Sequence, residues 1–469
     1  MRKHQVLGRE ALNVSRARAG WLTPVRTAMA AIFVGTGLFS ALPAMETAAP
    51  AGAAVRSTVG ALPGATCVGG LGSGSPGVTA KNINVASISS QTGPLSGDFS
   101  QMVPGVKAYF DYIDAHGGVN GRKITLAYQL DDGSNPSQFS QLTHTAIDQD
   151  HAFAAVGVAS AFFAPNLFTE SCIPTYGYNV TSNWSDQANL FAAGGSALYT
   201  LQVPAEMAYL MRQDHLKSFA TLAYGGVPES SGVCAGANEY LTRAGFTQSY
   251  TDLNISYGGN ITPDVQRMRT SGAQLVLSCM DVTQNIQLAQ DIKKYGLKTK
   301  QYWLNGSDRG VLTAYGSVMQ GVYSGIQQVP FTAPTKYYPA MATYLAAMKK
   351  YEPAYTYDDL AIQGWSSAAL FAEGVKLAGT DLTQANVIKQ TNLLTAYNVG
   401  GLYSVVNWTT AHTQLNSPFC EAFIQAKGTY WVPVFGKGHQ VFVCLNVNKS
   451  NPTPRTTHPV PAPPGTPGS

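Results

Sequence analysis

The sequence predicts an α/β protein built from two doubly wound parallel-sheet lobes. From Lys81 onward, short apolar runs of strand length alternate with amphipathic helical segments, a pattern typical of parallel sheets with helices on both faces. The alternation starts again around residues 201–204, which indicates a second unit of the same kind. The chain has 469 residues, of which 45% are hydrophobic and 12% charged. That length suits two cores, and the low charge argues against a disordered or nucleic-acid-coating protein.

The first 45 residues have the composition of a secretory signal peptide. Basic residues precede the apolar run 28–42, which is shorter than the roughly 20 residues that a membrane span needs, and small residues follow it. An uncleaved anchor is the alternative. Cys67, after Gly64-Ala65-Thr66, lies too far downstream for a lipoprotein cysteine, so we expect a secreted or cell-envelope protein without a lipid anchor. Residues 46–80 are rich in Ala, Gly, Ser and Pro and are predicted to be a flexible leader.

The formal net charge of +4 comes from this N-terminal segment. Six Arg and Lys residues and a single Glu lie before residue 46, and removing them leaves 24 basic and 25 acidic residues. A nearly neutral mature chain gives no reason to expect a polyanionic partner. We therefore expect no binding to nucleic acid.

The most informative stretch is the first strand, loop and helix, residues 83–121. The apolar residues of the strand are Ile83, Val85 and Ile88, and those of the helical face are Val106, Tyr109, Phe110 and Ile113. The loop between them, residues 89–96, carries Ser, Gln, Thr and Gly. In an open parallel sheet such a loop lies at the carboxyl edge, where ligands bind, and its N–H groups and hydroxyls can hold a carboxylate or another polar group. An ordinary strand-to-helix turn is the alternative.

The remaining pattern predicts the other elements in order. Strands are expected at residues 123–130, 152–158, 173–176, 219–224, 249–253, 274–279, 302–304, 419–425, 430–434 and 440–445. Helices are expected at residues 136–150, 165–170, 204–212, 263–271, 283–295, 338–351 and 358–378. A further helix, between the strands 219–224 and 249–253, is expected to end at about residue 244. Residues 448–469 are rich in Pro and are predicted to be extended and unpacked.

Six cysteines in an exported chain favour disulfides over metal ligands. Cys420 and Cys444 flank two short strand-like runs, which suits a disulfide that joins the strands of a hairpin. Cys234 follows one strand and Cys279 ends a neighbouring one, which makes a second pair plausible. Cys67 and Cys172 remain by elimination. Six cysteines allow fifteen pairings, so this set is a hypothesis.

The order of these elements resembles that of the type I periplasmic binding proteins, in particular the leucine/isoleucine/valine-binding receptors of ABC transporters. The first matching piece, TGPLSGDFSQMVPGVKAYFDYIDAHGGVNGRKITLAYQLDDGSNP, is specific. The shorter pieces AAVGVAS, IPTYGYNVTS, FATLAYGG, GLKTKQYWLNG and GVYSGIQQVPF follow in the same order. The resemblance covers residues 81–330 well and the remainder to Val447 loosely.

The resemblance implies two α/β lobes joined by a three-segment hinge, with a ligand in the interlobe cleft. Lobe I would comprise residues 81–202 and 330–415. Lobe II would comprise residues 203–329 and 416–447, the latter containing the disulfide hairpin. Closure of such lobes is a hinge motion that a ligand favours through contacts made only in the closed form.

The resemblance also implies a set of ligand-binding residues. In lobe I they are Thr92, Gly93, Leu95, Ala159, Ser160, Asn179, Val180 and Thr181, with Ser160 and Thr181 as hydroxyls for a ligand carboxylate. In lobe II they are Tyr224, Ser230, Asp281, Ser307 and Asp308. Amino-acid-binding members use aromatic side chains and an acid in lobe II. Here the loop after Tyr224, GGVPESSG, lacks an aromatic residue, and Asp281 or Asp308 would have to supply the acid.

The sequence is therefore interpreted as an exported, monomeric receptor for a small polar metabolite. An amino acid, an amide or another carboxylate-bearing solute would pass from it to an ABC permease. Two alternatives stay open: an extracellular ligand sensor that passes lobe closure to a partner protein, and a secreted hydrolase on an α/β scaffold. The GxCxG motif at Gly232 lies too far beyond the end of its strand for a nucleophile elbow. We therefore predict no catalytic residue, cofactor or metal site, and no enzyme.

Overall fold

The computed structural model describes residues 75–197, 202–304, 306–355, 359–414, 419–436, 439–448 and 451–456. The predicted signal peptide, most of the predicted leader and residues 457–469 lie outside these residues. Within the described part of the chain, no helix combines the length and the apolar character that crossing a membrane requires.

The first sheet is fully parallel, with strand order β2-β1-β3-β4-β5. Its strands are β1 (Asn82–Ser89), β2 (Lys123–Asp131), β3 (Ala155–Val158), β4 (Thr175–Gly177) and β5 (Leu190–Ala192). The helices between them are α1 (Ser96–Phe99), α2 (Met102–Ala115), α3 (Pro136–His144) and α4 (Asn166–Glu170). A π-helical segment, Thr145–Gln149, extends α3, and a 3₁₀ turn, Ser182–Trp184, precedes β5. The predicted α/β class is therefore confirmed for this lobe, whereas β5 was not predicted.

The second sheet continues the α/β pattern and has the order β14-β13-β11-β10-β9-β8-β6-β7, with β12 paired to β11. Its strands are β6 (Ser218–Tyr224), β7 (Thr247–Ile255), β8 (Leu275–Cys279), β9 (Lys300–Trp303), β10 (Tyr323–Ile326), β11 (Phe419–Lys427), β12 (Tyr430–Pro433), β13 (Phe442–Asn448) and β14 (Asn451–Thr456). Its helices are α5 (Gln202–Gln213), α6 (Pro228–Arg243), α7 (Thr262–Ser271), α8 (Val282–Lys294) and α9 (Arg309–Met319). The strands from β7 to β10 are parallel, and β11 begins an antiparallel extension.

The chain returns to the first sheet between β10 and β11. Helices α10 (Pro339–Tyr351), α11 (Asp359–Ala378) and α12 (Gln384–Asn392) lie in this segment. Leu370 and Phe371 on α11 share a buried core with Val85 and Val156 of the first sheet. The element order thus takes the chain from one lobe to the other three times. The lobe boundaries predicted above remain a proposal at the level of single residues.

Helices α2 and α11 cross at a pair of glycines. A Cβ on Gly105 would overlap the carbonyl oxygen of Ala361, and a Cβ on Gly364 would overlap the carbonyl oxygen of Met102. Each glycine therefore lets the backbone of the other helix approach directly. This contact fixes α11, which arrives late in the chain, against the first helix of the first lobe.

Two of the three predicted disulfides are present. Cys234 on α6 bonds Cys279 at the end of β8. Cys420 bonds Cys444, its direct partner in the β11–β13 register. Cys172 is also disulfide-bonded, but Cys67 lies outside the described residues, so their pairing stays a prediction.

The prediction for the C-terminal tail is wrong over six residues. Residues 448–469 were expected to be unpacked, yet β14 pairs with β13. Two of its residues are prolines, which remove ladder donors and suit only an edge strand. Because β14 is the outermost strand of the sheet, the prolines are tolerated there.

Candidate functional site

The candidate site lies where the carboxyl ends of both sheets face each other. The first sheet changes direction of winding between β1 and β3, and the second between β6 and β8. Loops that leave such neighbouring strands diverge and open a crevice. The loops after these strands, together with the loop after β4, surround a cavity of about 340 Å³.

The lining of this cavity comes from both lobes and is mostly apolar or aromatic. The first lobe contributes Leu95, Asp98, Phe99, Ala161, Phe162, Tyr178, Asn179, Val180 and Thr181. The second contributes Glu206, Tyr224, Gly226, Val227, Pro228, Glu229, Ser230, Val233, Tyr257, Cys279, Met280, Asp281, Leu304, Gly325, Gln327 and Glu421. An apolar cavity with a few convergent polar groups is the usual form of a small-molecule site.

Thr92 and Gly93 hold the loop after β1 rather than line the cavity. Asp131, at the end of β2, accepts hydrogen bonds from the Thr92 hydroxyl (2.6 Å) and from the N–H groups of Gln91, Thr92 and Gly133. Burial acts to raise the pKa of Asp131, but these donors together bring it below its ordinary value. Gly93 has a positive φ and abuts the Gly133 carbonyl. The loop is thus pinned to β2, and Leu95 is the predicted residue that reaches the cavity.

The Ser160 hydroxyl is hydrogen-bonded to a neighbouring carboxylate. Its hydroxyl donates to Oδ2 of the buried Asp132 at 2.5 Å and accepts from the N–H of Phe162 at 3.1 Å. Ala159 is buried as well. Neither is among the described lining residues, and the next two residues along the chain, Ala161 and Phe162, take that place.

The loop after β4 contributes all three of its predicted residues to the lining. Asn179 donates from Nδ2 to the carbonyl oxygen of Gly195 at 3.0 Å, which fixes the loop. Val180 presents apolar surface. Thr181 is 1% exposed, and its hydroxyl has no hydrogen-bond partner among the described residues. A buried hydroxyl left without a partner is costly, so this group would gain from a hydrogen bond to a solute.

The second lobe brings Tyr224, Ser230 and Asp281 together. The Tyr224 hydroxyl donates to Oδ1 of Asp281 at 3.0 Å, and the same oxygen caps α8 by accepting from the N–H of Gln284 at 2.8 Å. Ser230 accepts from the N–H of Tyr224 at 2.9 Å and donates to the carbonyl oxygen of Cys279. These bonds fix the ends of β6 and β8 relative to each other.

Ser307 and Asp308 line a smaller pocket of about 120 Å³ beside the main cavity. The Ser307 hydroxyl donates to Oδ1 of the buried Asp359 at 3.1 Å. Asp308 caps α9 by accepting from the N–H of Gly310. Burial raises the pKa of Asp359 to about 7, partly offset by hydrogen bonds from Gln328 and Ser307. The two predicted residues therefore lie near the main cavity, but their side chains are already hydrogen-bonded to Asp359 and to the N-terminus of α9.

Two contacts join the lobes across the mouth of the cavity. Tyr257, after β7, donates to the carbonyl oxygen of Pro94 at 3.0 Å. Asp98 on α1 reaches the N-terminus of α8 and accepts from the N–H of Val282. Burial and the nearby Asp281 charge raise the pKa of Asp98 to about 7, and the Val282 N–H acts in the opposite direction.

A buried carboxyl pair lies at the end of the cavity nearest the hinge. Glu206 is on α5, directly after the first passage between the lobes, and Glu421 is on β11, directly after the third. Each is 3% exposed, and their carboxyl groups are hydrogen-bonded to each other. The Tyr302 hydroxyl donates to Oε2 of Glu206. Burial, followed by repulsion from Glu421, raises the pKa of Glu206 well above its ordinary value.

Sequence reasoning missed several of these residues. Tyr257 supplies the aromatic side chain that seemed absent from the second lobe, and its ring lies 5.2 Å from that of Tyr224. Its position four residues after the predicted strand 249–253 was a usable signal, because strand ends meet at the cleft. Glu206 and Glu421 carried no such signal, since one is inside a helix and the other inside a strand.

Comparisons with known proteins bear on the family and on the fold. A sequence model of the family described as periplasmic binding protein matches residues 82–429. No curated protein matches the sequence.

Solved structures with the same fold are similar at low sequence identity. A fatty acid ABC transporter substrate-binding protein from Thermomonospora curvata has a TM-score of 0.66 and 17% identity, over 76% of this chain and 92% of its own. An ABC transporter solute-binding protein from R. palustris in complex with benzoate has a TM-score of 0.61 and 17% identity, over 75% of this chain and 95% of its own. A branched chain amino acid ABC transporter from Thermus thermophilus with bound valine has a TM-score of 0.63 and 16% identity, over 76% and 96%.

Proposed function

Since the chain belongs to the periplasmic binding protein family, we propose that it captures a small solute with a largely apolar body and delivers it to an ABC-type permease. The observation that carries this proposal is the cavity of about 340 Å³ between the two lobes. Its walls come from the carboxyl edges of both sheets, so a solute there would contact both lobes at once. Such contacts favour the closed form because the open form lacks them.

The cellular setting follows from the same premise. Proteins of this family are exported, which agrees with the signal peptide expected from residues 1–45. We propose that the mature chain acts as a monomer in the cell envelope or medium, with the permease as its membrane partner. We propose that the chain binds its solute without a catalytic step.

The ligand class is narrowed by the polar groups of the cavity. The similar structures bear the names of a fatty acid, benzoate and valine, all of which carry a carboxyl group. In this chain, however, the hydroxyl of Ser160 is already bonded to Asp132. That leaves Thr181 as the predicted carboxylate ligand with a partner to gain. An amino acid or an amide remains compatible with the cavity, whereas a carboxylate held by Ser160 is disfavoured.

A screen for thermal stabilisation by a metabolite library tests the proposal. A solute at one hundred times its Kd should stabilise the folded chain by about 2.7 kcal/mol. The Gly226→Trp variant supplies the matched test, because Gly226 lines the cavity and a Cβ there meets no atom within 4 Å. Its indole should fill the cavity and abolish the stabilisation.

Gly232→Trp is the control, since Gly232 is exposed on α6, outside the lining, and equally free of contacts. It should respond to the solute as the wild type does. A solute that stabilises both variants equally would place binding outside the cleft and contradict the proposal.

A further inference from the structure

All the charged side chains in the described lining of the cavity are acidic. Five carboxyl groups belong to its described lining, those of Asp98, Glu206, Glu229, Asp281 and Glu421, and that lining contains no Lys, Arg or His. None of the described ion pairs includes Asp98, Glu206 or Asp281. Glu206 is nearly completely buried, where an ionised carboxylate without a cation is costly.

The buried pair is held in place by the surrounding structure. Tyr302 donates to Glu206, and Gly325 lies against all three groups. A Cβ on Gly325 would overlap Oε2 of Glu206 and the Tyr302 hydroxyl, and would crowd Oε2 of Glu421. The missing side chain at this position therefore makes room for two adjacent carboxyl groups. Hydrogen bonding between them requires a shared proton, which a cation from the cavity could replace.

A second polar group of the lining is independent of the carboxyl pair. Thr181, in the wall contributed by the first lobe, is 1% exposed, and its hydroxyl has no described partner. A solute that donates N–H bonds would give this hydroxyl a partner and would meet a carboxyl pair in the same cavity. A carboxylate solute could hydrogen-bond to the Thr181 hydroxyl but would be repelled by the carboxyl pair.

We propose, on the basis of the function proposed above, that the captured solute is an amine, with a protonated nitrogen held by Glu206 and Glu421 and an alkyl or aryl body along the apolar walls. The pair releases its shared proton to solvent when the ammonium group binds, so the charges balance. No carboxylate on the solute is needed, which separates this ligand class from amino acids. Glu206 and Glu421 are the specificity-determining residues.

Calorimetric titration with matched probes tests the ligand class. The probes are 2-phenylethylamine, 2-phenylethanol and 3-phenylpropanoate, and the alkyl set hexylamine, hexanol and heptanoate. At least one amine should bind tenfold or more tightly than its alcohol, and the matched carboxylate should bind more weakly still. Titration in two buffers of different ionisation enthalpy should show proton release with the amine only.

Variants of the pair test the assignment of the residues. Glu206→Gln and Glu421→Gln preserve shape and should weaken amine binding tenfold or more while leaving alcohol binding unchanged, which also shows that each variant is folded. Glu170→Gln is the control, because Glu170 is exposed at the end of α4 and lies outside the described lining. It should change amine affinity less than twofold.

The inference is overturned if no probe shows amine-selective binding, or if both Gln variants bind the amine as the wild type does. Its failure is distinguishable from failure of the proposed function. If a carboxylate or neutral solute binds and Gly226→Trp abolishes that binding, the amine ligand class is rejected but the receptor function is retained. A solute that binds Gly226→Trp and wild type equally would remove the receptor function itself.

Discussion

At the scale of single residues, carboxyl groups govern the polar chemistry of the cleft. Asp98 crosses from the first lobe to the N-terminus of α8, where N–H groups and the helix dipole favour a negative charge. Burial and the Asp281 charge act more strongly in the other direction, so that its pKa rises from 3.8 to about 7. The folded chain therefore keeps a proton on Asp98 that the unfolded chain loses.

Asp98→Asn should remove a pH dependence of stability. With the folded-state pKa raised from 3.8 to about 7, the free energy of unfolding of the wild type falls as pH rises through this range. The variant keeps an acceptor for the Val282 N–H without the charge. Its Tm should exceed that of the wild type by ~2 °C at pH 8 and match it at pH 4.

Thermal unfolding between pH 4 and pH 8 measures this difference. Asp111→Asn, at an exposed position on α2, is the control and should follow the wild-type curve. An Asp98→Asn curve parallel to that of the wild type over the whole range would contradict the assignment.

At the scale of secondary structure elements, the close crossing of α2 and α11 ties a late segment of the chain to the first unit. Gly364→Ala should lower the free energy of unfolding by about 3 kcal/mol, because its Cβ would overlap the Met102 carbonyl oxygen, which is backbone. Gly232→Ala is the control in an exposed helix with open space, and it should raise stability by up to about 1 kcal/mol. Urea denaturation measures both, and equal effects would show that the crossing is looser than described.

The β11–β13 disulfide closes a loop of moderate length. Cys420 and Cys444 are 24 residues apart, so replacing both with Ala should lower the free energy of unfolding by about 3 kcal/mol. Replacing Cys234 and Cys279, which are 45 residues apart, should cost about 4 kcal/mol. Urea denaturation without reductant provides the values, and an unchanged midpoint in either double variant would refute the stabilising role.

The sequence was sufficient for most elements because their apolar periodicity is local. The β1–α2 unit and two cysteine pairs were predicted from pattern alone. Strand β5, three residues long, is too short to show a period. Strand β14 was hidden by its prolines, which indicate a loop unless the strand is known to lie at a sheet edge.

At the scale of the whole molecule, the same reasoning located the cleft but not its chemistry. The predicted Val180, Thr181, Tyr224 and Asp281 all line the cavity, since strand ends meet there. Glu206 and Glu421 are 215 positions apart and become neighbours only when the third passage returns the chain to the second sheet. Such a pair depends on tertiary structure, which no local pattern encodes.

Closure of the two lobes should depend on the contact between Tyr257 and Pro94. Tyr257→Phe removes the hydrogen bond to the Pro94 carbonyl oxygen, which is worth about 1 kcal/mol. The variant should lose no more than about this much of its free energy of unfolding, and it should have a larger radius of gyration than the wild type by small-angle scattering without solute. Tyr315→Phe, at an exposed position on α9, is the control. Identical scattering from both variants would show that this bond does not hold the lobes together.

The crystal structure of the full chain with the solute that gives the largest stabilisation would test the central claim most directly. Electron density for that solute should lie between the lobes, in contact with Thr181 on one side and with Tyr224 or Glu206 on the other. Density bound elsewhere on the surface, with the interlobe cavity still empty, would contradict the account.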